Sequence, residues 1–178
     1  MNIKHYTEIC HAAAVKGGWW TDLKTGRPLE RDKGEMYALM HSEISEALEG
    51  IRKNKQDDHL PHRKSEEVEL ADFLIRIFDY AGGFDLNLYL LEANILPDTS
   101  KGSLIAEMHG ILSDSYYKMS DGDNTEQSYL SEVLSFVVQY GQKFGLDLED
   151  AINEKMAYNA QRADHKIENR VKQGGKAF

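Results

Sequence analysis

Four acidic side chains form two pairs inside segments that otherwise have the composition of buried helices. Glu43 and Glu46 lie in SEISEALE, and Glu69 and Asp72 lie in EEVELADFLIRIFDY. Because residues three apart share one face of an α-helix, each pair presents two carboxylates in one direction. Two such faces packed together would gather four carboxylates around one point, and a hard divalent cation relieves their mutual repulsion. Ligation by oxygen alone favours Mg²⁺, Mn²⁺ or Ca²⁺ over zinc, so the spacing predicts a site for one of these cations.

The positions of these acids in the helical pattern distinguish them from ordinary surface charges. In the first segment Glu43 lies inside the apolar stripe, Glu46 lies at its edge and Glu49 points to solvent. The second segment is apolar around most of its circumference and leaves one narrow polar strip, which consists of Glu69, Asp72, Arg76 and Asp79. A carboxylate in an apolar interface without a counter-charge is unfavourable and tends to take up a proton. Plain surface acids are the alternative, an interpretation that suits Glu49, Glu66 and Glu67.

The acidic motifs resemble the signature of the all-α nucleoside triphosphate pyrophosphohydrolases, a superfamily that includes MazG-like proteins and dimeric dUTPases. Glu43-x-x-Glu46 is followed by Glu69-x-x-Asp72, and LMHSEISEALEGIRKN and VELADFLIRIFDYAGGFDLNL both look like the MazG-like versions. The segment EKMAYNAQRADHKIENR and the GGKAF after it are also similar to the ends of such proteins. The likeness covers most of the chain, and residues 98–145 are its least recognisable part.

The resemblance implies an active site in which Glu43, Glu46, Glu69 and Asp72 are catalytic and hold Mg²⁺, with Mn²⁺ as a substitute. A metal-activated water would attack the α-phosphorus of a nucleoside or deoxynucleoside triphosphate and release the nucleoside monophosphate and pyrophosphate. Such a hydrolase would serve nucleotide-pool control or house-cleaning. One of the four acids, or Glu66, would orient the water. Two alternatives stay open: a non-catalytic metal-binding helical bundle, and the same fold acting on another phosphoanhydride such as an alarmone.

A triphosphate also requires cationic donors, and one face of the last predicted helix carries them. Lys155, Asn159 and Arg162 recur at i, i+4 and i+7, and the resemblance implies that such a lysine and asparagine contact the phosphates. Arg76, on the polar strip of the third helix, is a further candidate for substrate binding. A solvated basic face is the alternative for the first three residues, and pairing with one of the two aspartates on its own strip is the alternative for Arg76.

Two adjacent tryptophans, Trp19 and Trp20, lie in a glycine-flanked loop rather than in a helical stripe. Flat aromatic rings offer sequence-tolerant stacking on a nucleobase, and related enzymes place tryptophans near the base pocket. We therefore predict that these two residues bind the base of the substrate. Covering the helical core is the alternative role, and we expect it for at least one of the pair.

Helical periodicity dominates the chain, and alternation of the strand type is nearly absent. The pattern predicts an all-α fold, a helical bundle with a four-helix core, in a single domain over residues 1–163. The basic tail over 164–178 has no firm predicted structure. The predicted helices cover approximately residues 2–16, 34–53, 64–81, 85–96, 101–118, 125–143 and 147–163.

A weak internal repeat appears when residues 70–88 are aligned with residues 130–148. The coinciding pairs are Leu70 with Leu130, Leu74 with Leu134, Tyr80 with Tyr140, Phe84 with Phe144, Leu86 with Leu146 and Leu88 with Leu148. The bundle would then consist of two degenerate helical repeats, at about 34–96 and 101–163. Such a chain would form a pseudo-dimer, with acids from one copy and cations from the other, as in the dUTPase branch. The alternative is the general likeness of one amphipathic helix to another.

Composition and charge narrow the range of partners. The net charge of −9 argues against sequence-independent binding of nucleic acids and against anionic membrane surfaces. No stretch approaches the ~18 apolar residues of a membrane span, and the N-terminal segment lacks the apolar run of a signal peptide. The single cysteine, Cys10, allows no internal disulfide. We expect a cytoplasmic protein that binds a nucleoside triphosphate and neither nucleic acid nor membrane, and the resemblance implies a homo-oligomer, with a dimer favoured.

Overall fold

The computed structural model describes residues 1–119 and 125–172, which form helices and loops with two isolated β-bridges. The helices are α1 (Ile3–Lys16), α2 (Lys33–Lys53), α3 (Ser65–Gly83), α4 (Lys101–Lys118), α5 (Thr125–Phe144), α6 (Leu148–Asn159) and α7 (Ile167–Arg170), with a 3₁₀ turn at Ala163–His165. The side chain of Asp32 caps the N-terminus of α2, and Ser100 caps that of α4 in the same way. Residues 173–178 of the predicted tail lie outside the described part of the chain.

Helix α3 is the centre of the molecule and packs against α1, α2, α5 and α6. Its apolar side chains are fully buried around most of the circumference: Val68, Leu70, Phe73, Leu74, Ile77, Phe78 and Tyr80. Helices α2 and α3 form a first helix pair, α4 and α5 form a second, and the two pairs contact each other through α2–α4 and α3–α5. The prediction of an all-α bundle with a four-helix core is confirmed. Among the described residues, no helix combines the length and the apolarity needed to cross a membrane.

The helix predicted at 85–96 is wrong, because residues 86–96 form a non-helical strap along α5, with a bend at residues 92 and 93. Backbone N–H groups of the strap donate to side chains that recur at every fourth position of α5. The donors are Asn87, Tyr89, Leu91 and Ile95, and the acceptors are Gln127, Ser131, Ser135 and Gln139. Two extended residues rise about 6.6 Å and four helical residues about 6 Å, so the first three bonds stay in register. Leu86, Leu88 and Leu90 pack against the core, an alternation of period two rather than of helical period.

A buried cluster of polar side chains joins α2 to α5. Nζ of Lys33 lies 2.8 Å from Oε2 of Glu126 and 4.7 Å from the ring centre of Phe84. Oε1 of Glu126 accepts hydrogen bonds from Tyr37, at 3.2 Å, and from Tyr80. Burial of the carboxylate is tolerated because a cation and two hydroxyl groups satisfy it.

A second cluster repeats these contacts between α4 and α3. Nζ of Lys101 lies 2.6 Å from Oε1 of Glu66 and 4.5 Å from the ring centre of Phe144, and Tyr140 donates to Glu66 at 2.5 Å. The interpretation of Glu66 as a surface acid is therefore wrong, because its carboxylate is buried against a lysine and a tyrosine. Extending the alignment of 70–88 with 130–148 toward the N-terminus places Glu66 on Glu126. Two related halves about an approximate two-fold axis would make such contacts, and duplication itself stays a prediction.

The chain folds back after α6. This helix ends at Asn159, so the predicted extension to residue 163 is wrong. Nη1 of Arg170 then donates to the backbone oxygen of Gly17 at 2.9 Å, a contact that a continuous helix would carry out of reach. Residues 163–172 consequently cover the loop that follows α1, although the pattern predicts no firm structure from residue 164 onward.

Candidate functional site

A cavity of about 1120 Å³ opens between α1, α2, α3, α6 and the C-terminal segment. Of the ten residues predicted for the site, nine line this cavity: Glu43, Glu46, Glu69, Asp72, Lys155, Asn159, Arg162, Arg76 and Trp19. The tenth, Trp20, packs beside it. Acids and cations from α2, α3 and α6 therefore face one space.

Three of the predicted acids converge at one end of the cavity. Glu43 on α2 and Glu69 and Asp72 on α3 each offer one carboxylate oxygen, and these oxygens lie within 4.8 Å of one another. The two helices approach closely nearby, since a Cβ atom on Gly50 would lie 2.9 Å from the backbone nitrogen of Glu66. Glycine at that position allows the separation at which the carboxylates meet. We call Glu43, Glu69 and Asp72 the acid cluster.

Glu46 lies outside the acid cluster, although it lines the same cavity. Its side chain is exposed, whereas Glu43 is buried. The difference follows from the position of Glu46 at the edge of the apolar stripe of α2, where the helix surface turns toward solvent. The sequence predicts that four acids meet at one point, and the structure brings three of them together.

The charge of the acid cluster is balanced only in part. Burial raises the pKa of Glu69 to about 8, with Lys155 opposing the rise and Asp72 and Glu43 adding to it. Burial also raises the pKa of Glu43, although the guanidinium of Arg76 opposes that shift. Carboxyl groups in this state bind a proton or a cation more readily than solvated acids do. A set of carboxylate oxygens with incomplete compensation fits a hard divalent cation.

Arg76 supplies one of the counter-charges of the cluster. Its Nε donates to Oε1 of Glu43 at 2.6 Å, across the interface between α3 and α2. Arg76 therefore does not pair with Asp72 or Asp79 on its own helix, which was the alternative. Those aspartates contact side chains of other elements: Lys155 for Asp72, and His11 and Trp20 for Asp79. The side chain of Arg76 is 38% exposed, so it borders the open part of the cavity.

Lys155 supplies the other counter-charge, and it comes from α6. Its Nζ lies 2.9 Å from Oδ2 of Asp72, and its side chain is only 3% exposed. Burial acts against the ammonium charge, but Asp72, Asp57 and Glu69 together raise the pKa of Lys155. His59 is next to it, with Nδ1 3.5 Å from Nζ. A lysine held in this way keeps its positive charge at the floor of the cavity.

Asn159 and Arg162 have different surroundings from each other. Oδ1 of Asn159 is buried and has no hydrogen-bond partner among the described residues, so it is available to a donor on a ligand. Arg162 does not share a helical face with Lys155 as predicted, because α6 ends first. Its guanidinium instead makes two hydrogen bonds to Asp164, at 2.9 and 2.7 Å. It still lines the cavity beside Asn159.

The two tryptophans have separate roles. Trp19 lines the cavity, and Cζ of Arg170 lies 3.4 Å from its ring centre. Trp20 donates from Nε1 to Asp79 at 2.8 Å and packs so closely on α3 that a Cβ atom on Gly83 would lie 2.0 Å from its ring. The structure therefore places one tryptophan where a ligand can reach it and uses the other to fasten the loop to the core.

Arg31, His59 and Asp79 are among the residues of the cavity that were not assigned from the sequence. A signal exists for Asp79, which continues the polar strip of Glu69, Asp72 and Arg76 along α3. Arg31 and His59 lie in loops, where no periodicity indicates the direction of a side chain.

In comparisons with known proteins, this chain matches no protein-family model, no curated protein and no solved structure. The resemblance to the all-α nucleoside triphosphate pyrophosphohydrolases therefore stays a prediction from the acidic motifs. What supports a function independently is the chemistry of the residues that line the cavity.

Proposed function

We propose that the protein is a Mg²⁺-dependent hydrolase that cleaves a nucleoside or deoxynucleoside triphosphate into the monophosphate and pyrophosphate. The observation that carries this proposal is the convergence of three carboxylate oxygens within 4.8 Å, in a cavity that also presents Lys155 and Arg76. Carboxylates that need a cation, beside cations that suit phosphate, match the charge distribution of a metal-bound triphosphate. The acidic motifs favour the same chemistry. Control of nucleotide pools is the corresponding cellular role.

In this proposal Glu43, Glu69 and Asp72 hold the cation, for which Mn²⁺ can substitute. Bound Mg²⁺ would neutralise charge on the phosphates and lower the pKa of a water molecule. Lys155, buried and charged, and Arg76, at the open side, bind phosphate oxygens. Both cations are already in place before a substrate enters, so little reorganisation is needed at the moment of reaction.

The reaction adds water to the α-phosphorus and breaks the bond from that phosphorus to the bridging oxygen, which leaves with pyrophosphate. Glu46 is the acid that we assign to orienting the attacking water, because it lies outside the acid cluster yet faces the same cavity. An exposed carboxylate can pass the proton of the water to solvent.

Incubation of the protein with each deoxynucleoside and nucleoside triphosphate, with and without Mg²⁺, tests the proposal. Mass spectrometry should identify a monophosphate and pyrophosphate rather than a diphosphate and phosphate. Glu43→Gln should abolish the release, whereas Glu49→Gln, on the same helix and outside the cavity, should not. If the folded protein binds Mg²⁺ but cleaves no nucleotide, it is a metal-binding bundle and the enzymatic proposal fails.

A further inference from the structure

The cavity continues along α3 beyond the acid cluster. Asp79 lies two helical turns after Asp72 on the same polar strip, about 10 Å further along the helix axis, and it also lines the cavity. An extended nucleoside phosphate spans such a distance between its α-phosphorus and the far edge of its base. If the acid cluster marks the α-phosphate, the end of the cavity near Asp79 is where a base edge would lie.

Of the two carboxylate oxygens of Asp79, Oδ1 contacts other side chains of the protein and Oδ2 faces no such partner among the described residues. Nε1 of Trp20 donates to Oδ1 at 2.8 Å, and Nδ1 of His11 lies 2.9 Å from the same atom. Within residues 1–119 and 125–172, Oδ2 has no hydrogen-bond or ion-pair partner. The carboxylate is held rigidly by these contacts and is 14% exposed. Oδ2 is therefore a positioned hydrogen-bond acceptor for a ligand in the cavity.

Arg31 provides donors at the same end of the cavity. Its side chain is buried, and Nη1 donates to the backbone oxygen of Trp19 at 3.0 Å. The remaining N–H groups of this guanidinium have no hydrogen-bond partner in the described part of the chain. An arginine lining a cavity with unused donors presents them to acceptors on a ligand.

Trp19 provides a flat surface between these polar groups and the C-terminal segment. The guanidinium of Arg170 stacks on its ring at 3.4 Å, and Nη1 of Arg170 is anchored to Gly17 at 2.9 Å. The ring is therefore held in place, and the part of it that lines the cavity can stack on a planar group.

Building on the proposed hydrolase activity, we propose that Arg31, Asp79 and Trp19 form a nucleobase site in which Asp79 selects bases that carry an exocyclic amine. Cytosine and adenine each present an amino group beside a ring acceptor, which complements Oδ2 of Asp79 beside the donors of Arg31. Guanine likewise carries amino and imino donors on one edge. Uracil and thymine flank their single N–H with two carbonyl oxygens, and a carboxylate repels these oxygens. Asp79 thus determines base specificity, and Trp19 holds the ring of the base.

Asp79→Asn is the substitution that tests this assignment most directly. Its amide oxygen can still accept from Trp20, so the amide nitrogen takes the place of Oδ2 and offers donors instead of an acceptor. The wild-type kcat/KM should be at least about tenfold higher for dCTP, dATP or dGTP than for dUTP and dTTP. In Asp79→Asn the ratio should shift by at least about tenfold toward dUTP and dTTP. Asp85→Asn, at an exposed position outside the cavity, is the matched control and should keep the wild-type ratio.

A substrate that lacks the amine tests the same contact without any substitution in the protein. Wild-type kcat/KM should fall by at least about tenfold when the preferred triphosphate is replaced by an analogue in which the exocyclic amine is hydrogen. Equal rates for dUTP and the amino-bearing nucleotides, or an unchanged rate with the analogue, overturn the base-site assignment and leave the hydrolase proposal standing.

Failure of the hydrolase proposal has a different signature. If no triphosphate is cleaved, the same nucleotides become binding probes, and their affinities are measured by calorimetry with wild type and Asp79→Asn. A preference for amino-bearing bases that reverses in the variant supports the base site even then. Affinities that are independent of the base refute it.

Discussion

The two helix pairs of the bundle share a buried glutamate with matching contacts, but among the described residues only the first pair carries the acid cluster that lines the cavity. Each pair contributes a glutamate that meets a lysine and a tyrosine of the bundle, Glu66 in the first and Glu126 in the second. At the positions where α3 has Glu69 and Asp72, the aligned positions of α5 have Tyr129 and Glu132. The second pair therefore has the same contacts that hold the bundle, and its described residues form no acid cluster.

The chain segment that packs on each pair differs as well. After α3 and after α5 the first contact is the same: the backbone N–H of Asn87 donates to Gln127, and that of Asp147 donates to Glu67. Beyond this point α5 binds the strap, whereas α3 receives α6, which brings Lys155 to the acids. The surroundings of α3 are thus a cavity with charges, and those of α5 are a covered surface.

The comparison shows that burial alone does not make an acid functional. Glu66 and Glu126 are buried, and each has a lysine and at least one tyrosine hydroxyl as partners. Glu43 is also buried, but its partner is the single arginine Arg76. It belongs to the acid cluster, in which the pKa of Glu69 is raised to about 8. The partners of an acid determine whether its charge is used to hold the fold or is left for a ligand.

The largest effect is expected where the two pairs differ most, at Asp72 and its aligned position Glu132. Asp72→Asn removes an acid of the cluster and the partner of Lys155, and kcat/KM should fall by at least about 100-fold, since outer-shell changes alone reach about 10- to 100-fold at metal sites. Glu132→Gln should leave the rate within about twofold, because it belongs to no such cluster in the described structure. Pyrophosphate release is the measurement. Equal losses in the two variants would contradict the distinction between the pairs.

Binding of Mg²⁺ should stabilise the wild-type fold through the first pair only. At a concentration 100 times the dissociation constant the free energy of unfolding should rise by about 2.7 kcal/mol. Urea unfolding with and without Mg²⁺ measures this difference. The gain should disappear in Glu69→Gln and persist in Glu132→Gln. A gain that survives in Glu69→Gln would place the cation elsewhere.

The shared clusters predict equal losses of stability in the two pairs. Glu66→Gln and Glu126→Gln each leave a lysine without its carboxylate, and each should lower the free energy of unfolding by about 2 kcal/mol. This is less than for a fully buried pair, because the side chains of Lys101 and Lys33 are 29% and 32% exposed. Both variants should keep Mg²⁺ binding. A loss confined to one of them would show that the matching contacts are not equivalent.

The smallest effect is expected at the strap, which only the second pair binds. Ser131→Ala and Ser135→Ala each remove the acceptor of one backbone N–H, that of Tyr89 or Leu91. Each should lower the free energy of unfolding by about 1 kcal/mol and leave catalysis unchanged. Gln142→Ala, exposed on the same helix, is the control for helix propensity. No difference from that control would mean that these hydrogen bonds do not stabilise the bundle.

Most helices were predictable because their signal is local. The signal of a helix consists of apolar residues at helical spacing, a cap such as Asp32 and a terminator such as Gly145. All of these lie within or next to the helix itself along the chain. The strap is the exception that illustrates the limit. Leu86, Leu88 and Leu90 follow a period of two, but the acceptors that hold this segment extended lie far along the chain on α5.

The candidate site divides in the same way. That Glu43 lies inside an apolar stripe, and that Glu69 and Asp72 share a polar strip, follows from helical spacing within each segment. Which cation meets which acid depends on how α2, α3 and α6 are rotated and packed, so the pairing of Arg76 with Glu43 was not predictable. Glu66 was misassigned for this reason, since its partners lie on α4 and α5.

The amino-acid sequence is therefore sufficient to establish an all-α bundle and the helical faces on which its acids lie, because periodicity within a helix depends on neighbours along the chain. It does not establish that Glu46 stays outside the acid cluster, that Trp20 fastens a loop while Trp19 lines the cavity, or that one oxygen of Asp79 has no partner among the described residues. Those outcomes depend on contacts between segments far apart in sequence. Such contacts form only when the helices pack, and side-chain spacing within one helix carries no information about them.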